Sequence, residues 1–177
     1  IDTGLKISSI GTNANWGKIV SSATHQNNLY LLDVEKNEIW RYLAASTGLG
    51  SGRAYIKGDK PNLGSAVAIS IDGLVWVATK SGAVYKFSSG NKQEDYKISG
   101  LADPMGELSD MFTSAATTFH YFLDKGKGRI IVADKLGNYS VSYTHDQLHK
   151  ADTLLVDETQ KIGYFTAESK LYQFKLP

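Results

Sequence analysis

The chain has 177 residues, 42% of them hydrophobic and 21% charged, which is the size of a single folded domain and excludes an intrinsically disordered segment. With 19 basic and 18 acidic side chains the formal net charge is +1, so there is no general electrostatic drive toward nucleic acid or anionic membrane, and nucleic acid is not an expected partner. Cys is absent, which excludes disulfides, thiolate metal sites and a thiol nucleophile.

In chain order, Leu5–Ile10 reads as an outer strand with no sheet before it. A first unit follows over about residues 18–57: an inner strand Lys18–Thr24, a pair of apolar segments Leu29–Asp33 and Ile39–Tyr42 around a polar turn, and an outer strand Arg53–Lys57. The second unit, about 66–99, repeats this with Ala66–Ile71, Val75–Thr79, Val84–Phe87 and Glu94–Ser99. The third, about 110–143, has Asp110–Ala115, Tyr121–Asp124, Ile130–Ala133 and Asn138–Tyr143. A single helical turn is expected at Asp146–Lys150. The fourth unit, about 151–176, has Ala151–Val156, Gly163–Thr166 and Leu171–Phe174, and stops after its third strand. The residue types are aromatic and β-branched between Gly-, Asn-, Asp- and Ser-rich turns, as strands require. No apolar run approaches the roughly 20 residues of a membrane span and no signal peptide is present, so no membrane insertion is expected within this segment. The opening Ile1 in place of Met reads as a piece of a longer parent.

Asp33, Thr79, Asp124 and Thr166 hold one place in the four units, spaced by about 46, 45 and 42 positions, within the range of propeller blades. A sandwich also has short strands, but does not repeat a four-strand unit in register. The expected fold is therefore all-β: a β-propeller of four four-stranded antiparallel blades, one domain over residues 1–177. Either Leu5–Ile10 completes the last blade and closes a four-bladed ring, or the chain is an arc of a larger propeller.

Trp16-Gly17-Lys18-Ile19-Val20, Asn28–Asp33, Asn37–Tyr42, Ala66–Gly73 and Val84–Phe87 carry a resemblance to the propeller-like C-terminal regions of uncharacterised bacterial proteins whose N-terminal part is similar to PPM-type phosphatases. More loosely, the Asp33…Asn37-Glu38-Ile39 and Asp124…Gly128-Arg129-Ile130 hairpins are similar to those of NHL repeats, from which Thr79 and Thr166 depart. The resemblance implies a non-catalytic accessory domain, placed outside the cytoplasm beyond a membrane anchor. It carries over no phosphatase residue.

The expected function is a binding or scaffold module with no catalytic residue and no cofactor, presenting one face of the disc to a protein, peptide or glycan. That face holds the linkers between blades and the second-to-third-strand hairpins, and its candidate binding residues are Trp16, Met105, His145 and His149. Asp33 and Asp124 are expected to accept hydrogen bonds from turn N–H groups. His145 and His149 are four apart and would need a third ligand to hold zinc, so no metal site is assigned. Gly48–Gly52 lacks the Gly-Lys-Ser/Thr of a phosphate loop. The alternative function is a propeller lyase or hydrolase with a His-based site near the axis, for which His120 is the candidate.

Overall fold

The structure, a computed structural model, describes residues 15–46 and 48–177. Its strands form four antiparallel blades arranged about one axis in the manner of a β-propeller. Blade 1 comprises β1 (Ile19–His25), β2 (Asn28–Asp33), β3 (Glu38–Tyr42), a small excursion β4 (Ala44–Ala45) and β5 (Gly48–Leu49), and the outer β6 (Arg53–Ala54). Blade 2 comprises β7 (Ala66–Ile71), β8 (Val75–Thr79), β9 (Val84–Ser88) and β10 (Asn91–Lys92). Blade 3 comprises β11 (Leu108–Phe112), β12 (Phe119–Asp124), β13 (Arg129–Asp134) and β14 (Tyr139–Thr144). A 3₁₀ turn at Asp146–Lys150 leads into blade 4, with β15 (Ala151–Asp157), β16 (Ile162–Ala167) and β17 (Lys170–Lys175).

Inner strands of successive blades pack together: β1 on β7, β7 on β11 and β11 on β15. The apolar residues fall into three cores, one per blade junction. Tyr30 and Ile39 meet Ile69, Val77 and Phe87 between blades 1 and 2. Trp76 and Val84 meet Met111, Phe122 and Ile131 between blades 2 and 3, and Tyr121 and Ile130 meet Leu154 and Phe165 between blades 3 and 4. Strand alternation is the cause, since each blade buries one side-chain row in each neighbour.

Three expectations are corrected. Glu94–Ser99 is not the outer strand of blade 2; Asn91–Lys92 is. Ser89 and Gly90 both adopt positive φ, making the two-residue turn that returns the chain at once. The chain then crosses to blade 3, where Ser99 bridges Asn138 in parallel while Tyr96 bridges back to Val84. Arg53–Lys57 likewise narrows to Arg53–Ala54, because Lys57 leaves to bridge Asn91 of blade 2. In blade 4, Ala167 rather than Thr166 occupies the place of Asp33, Thr79 and Asp124. Ala151 pairs Ala167 as Ile19 pairs Asp33, Ala66 pairs Thr79 and Leu108 pairs Asp124. The tight turn through Glu168 and Ser169, both at positive φ, shortens that hairpin and shifts the register. The expected strand Leu5–Ile10 lies outside the described residues.

Candidate functional site

The linkers and the second-to-third-strand hairpins share one face, and hydrogen bonds join them. Fully buried Asp33 ends β2 and accepts from the backbone N–H of Gly17 (2.8 Å), Lys18 (3.0 Å) and Lys36 (3.0 Å), and from Trp40 Nε1 (3.0 Å). Burial pushes its carboxyl up, but these four donors prevail and hold it below the ordinary carboxylate value. Asp124 ends β12 and accepts from Gly106 N at 3.0 Å and Arg129 Nε at 2.9 Å. Both carboxylates thus pin the incoming linker, but only Asp33 also accepts from a turn N–H as expected; Asp124 binds the Arg129 side chain instead and its Oδ1 has no partner. Glycine is needed at those linker positions because a Cβ at Gly17 would come within 2.6 Å of Glu35 Cβ, and one at Gly106 within 2.7 Å of Asp124 Oδ1.

The four sequence-nominated residues sit on this face but are spread around it. Trp16 is 37% exposed, donates from Nε1 to Tyr42 Oη at 2.8 Å and meets that ring edge-on. Met105 is half-buried, with its side chain over Gly82 of the blade 2 hairpin. His145 and His149 are exposed at the 3₁₀ turn between blades 3 and 4. His145 Nδ1 accepts from Gln147 N at 3.1 Å, while His149 Nδ1 lies 3.1 Å from the carbonyl of Lys125. The two imidazoles are therefore engaged separately, and no group of three metal-ligating side chains occurs among the described residues. Met105 and His145 line different hollows, the latter a cavity of about 270 Å³ beside Tyr172 and Phe174.

His120 does not lie at the axis. It is fully buried between blades 2 and 3, 4.3 Å from the Trp76 ring and 5.1 Å from Tyr96, and neither ring nitrogen has a hydrogen-bond partner. Burial, aided by the nearby Lys135 ammonium, lowers its pKa to about 4. Its place on the strand next to the inner one turns it into the blade junction.

The axis instead holds a channel of about 590 Å³ walled by the four inner strands, a site that the sequence reading missed. Its wall is polar, with Ser21, Ser70, Ser109 and Asp110 each bonding the backbone of a neighbouring blade. Ser21 Oγ accepts from Ile69 N (3.2 Å), Ser70 Oγ donates to Thr113 O (2.8 Å) and Ser109 Oγ to Ala151 O (2.8 Å). Asp110 accepts from Leu154 N at 2.7 Å and Met111 N at 2.8 Å, yet burial dominates and raises its pKa to about 6. The signal was present as Ser, Thr and Asp at inner-strand positions otherwise held by aliphatic residues. No histidine lines the channel among the described residues. On the opposite face, the Lys135 ammonium joins Asp72 at 2.6 Å, and Glu158 accepts from Thr118 N (2.7 Å), Phe119 N (3.1 Å) and Tyr121 Oη (3.0 Å), tying neighbouring blades. None of the helices described is long and apolar enough to cross a membrane.

Among solved structures the chain is similar to a functionally unknown protein from Desulfotomaculum acetoxidans DSM 771, with TM-score 0.66 and 13% identity over 98% of this chain and 56% of that one. It is also similar to a streptogramin B lyase, at TM-score 0.61 and 12% identity over 100% of this chain and 61% of that one. A computationally designed protein, Ika4, matches at TM-score 0.60 and 15% identity over 98% of this chain and 100% of that one. These likenesses establish the propeller fold, and the chain spans little more than half of the first two structures. No family model matches the chain, and no curated protein matches it in sequence, so the expected kinship with phosphatase-linked propellers gains no support.

Proposed function

We propose that this chain is a non-catalytic binding or scaffold module that presents its linker-and-hairpin face to a protein, peptide or glycan. The observation that carries this reading is Trp16. Its indole is 37% exposed while the Asp33 clamp on Gly17 and Lys18 holds its backbone and Tyr42 holds its N–H. An aromatic ring fixed before binding loses little conformational freedom on contact, and its flat, amphipathic surface suits sugar rings and peptide side chains alike. His145 and His149 add exposed polar edges on the same face. The lyase or hydrolase alternative lacks comparable support, because a general base must reach a substrate proton, and His120 is fully buried.

The test is a glycan and peptide array probed with the unmodified protein and with a triple variant, Trp16→Ala, Met105→Ala and His149→Ala, whose fold is checked by circular dichroism. Discrete ligands retained by the former and lost by the latter are expected. Retention of the same ligands by the folded variant would place binding elsewhere. Turnover of a sugar or ester panel, abolished by His120→Ala, would replace the reading with an enzymatic one.

A further inference from the structure

The repeat shows what is missing at one end of the molecule. Register matching puts Ile39, Val84, Ile130 and Leu171 at one position of the third strand, opposite Leu32, Ala78, Leu123 and Thr166. The first three are 0%, 1% and 1% exposed, because the next blade covers them, whereas Leu171 is 71% exposed. The second strand tells the same story. Tyr30, Trp76 and Tyr121 are buried in the three junctions, and their counterpart Tyr164 is only half-buried beside exposed Leu155. Blade 4 thus carries the residue pattern of a junction-forming face with no fourth junction among the described residues.

Blade 1 carries the complementary half. Ile69 and Ile71 of blade 2 are 4% and 6% exposed where they receive blade 1, but their counterparts on β1, Ser22 and Thr24, are exposed. The polar wall is incomplete in the same place. Ser21 and Asp110 accept from the backbone of the following blade, while the corresponding Thr153 spends its hydroxyl on Thr166 of its own sheet. The two open faces do not meet each other: β15 makes no contact with β1 comparable to those joining the other inner strands.

We propose that a second copy of this chain closes the ring, with blade 4 of each copy packed on blade 1 of the other. Two observations select a second copy over other occupants. The surface each open end requires is a propeller blade of this same repeat, and the chain itself carries both halves of that junction. The chain also accounts for only 56% and 61% of two propeller chains that it matches over nearly its whole length, so in propellers of that size a further arc lies beyond four blades like these. A two-fold axis along the channel makes both junctions at once and leaves no open end, which is the condition for a closed rather than a growing assembly.

The experiment is sedimentation velocity with light scattering on the 177-residue chain up to roughly 100 µM, where an interface of ordinary size is populated. The expected mass is twice the 19.3 kDa of one chain. Leu171→Lys and Thr24→Glu alter exposed side chains that a single copy does not need for folding. Each is expected to give a folded monomer, with at least a tenfold weaker association. An equimolar mixture of the two variants is expected to recover dimer, since the mixed pair keeps one unmodified junction and opposes Lys to Glu at the other. A wild-type chain that stays monomeric throughout, or a dimer indifferent to both substitutions, would overturn the proposal.

Discussion

His120 and Asp110 show how two buried ionisable residues oppose each other. The pKa of His120 is lowered from 6.5 to about 4, so protonation favours the unfolded chain. The stability tied to its neutral form is fully present above 6.5 and is lost as pH falls toward 4, about 3 kcal/mol in all. Asp110 acts in the reverse sense. Its pKa is raised from 3.8 to about 6, so its contribution is present below 3.8 and lost as pH rises through 6. Between pH 6 and 4 the two partly cancel in the wild type. His120→Phe keeps the aromatic packing, removes two unpartnered nitrogens, and is expected to grow more stable relative to wild type as pH falls through this window. Urea midpoints taken across pH 4 to 7 check it; parallel curves for variant and wild type would show that His120 does not titrate with folding. Asp33 offers a second measurement. Asp33→Ala leaves three backbone N–H groups and the Trp40 indole without their acceptor, and a loss of about 3 kcal/mol is expected by chemical denaturation.

At the scale of elements, the outer edge of each of the first two blades is a stitch to the next blade. Lys57 N donates to Gly90 O and Ser99 N to Gly137 O, both at 2.8 Å. Gly90 and Gly137 sit in equivalent turns at φ 88° and 96°, and a Cβ on either would come within 2.2 Å of a carbonyl oxygen of the preceding blade, Tyr55 O and Lys97 O. Backbone cannot retreat as a side chain can, so both the left-handed conformation and the close approach demand glycine. Gly90→Ala and Gly137→Ala are each expected to cost about 2–4 kcal/mol. Gly73→Ala, at positive φ with open space around it, is expected to cost clearly less by the same thermal denaturation measurement. Equal losses at all three would mean that backbone conformation alone matters and the stitch contributes nothing.

For the molecule as a whole, cohesion comes from junctions between blades rather than from any one sheet, since a single sheet buries neither face. Blades 2 and 3 are covered on both sides, and blade 4 on one. Hydrogen exchange at low protein concentration is therefore expected to be slowest in β8, β12 and β13 and fastest among the strands of β17. Uniform protection across the four blades would contradict that gradient. At high concentration, protection of β17 and β1 together would report the second copy.

Much of this architecture was legible in the amino-acid sequence. The recurrence of Asp33, Thr79 and Asp124, the apolar pairs around short polar turns and the helical turn at Asp146–Lys150 determined blade number, strand order and fold class, because hairpins are local and their periodicity is written in consecutive residues. The turn role of Asp33 was legible for the same reason, whereas Asp124 accepts from its linker and from Arg129 rather than from a turn N–H. The tertiary structure alone decided the rest: the departure of Tyr55–Lys57 and Tyr96–Ser99 to neighbouring blades, the register that puts Ala167 in the repeated place, the burial of His120 at a junction and the polar lining of the channel. Each of these depends on contacts between segments about one blade apart in the chain, where burial and hydrogen-bond geometry, rather than local residue preference, select the conformation.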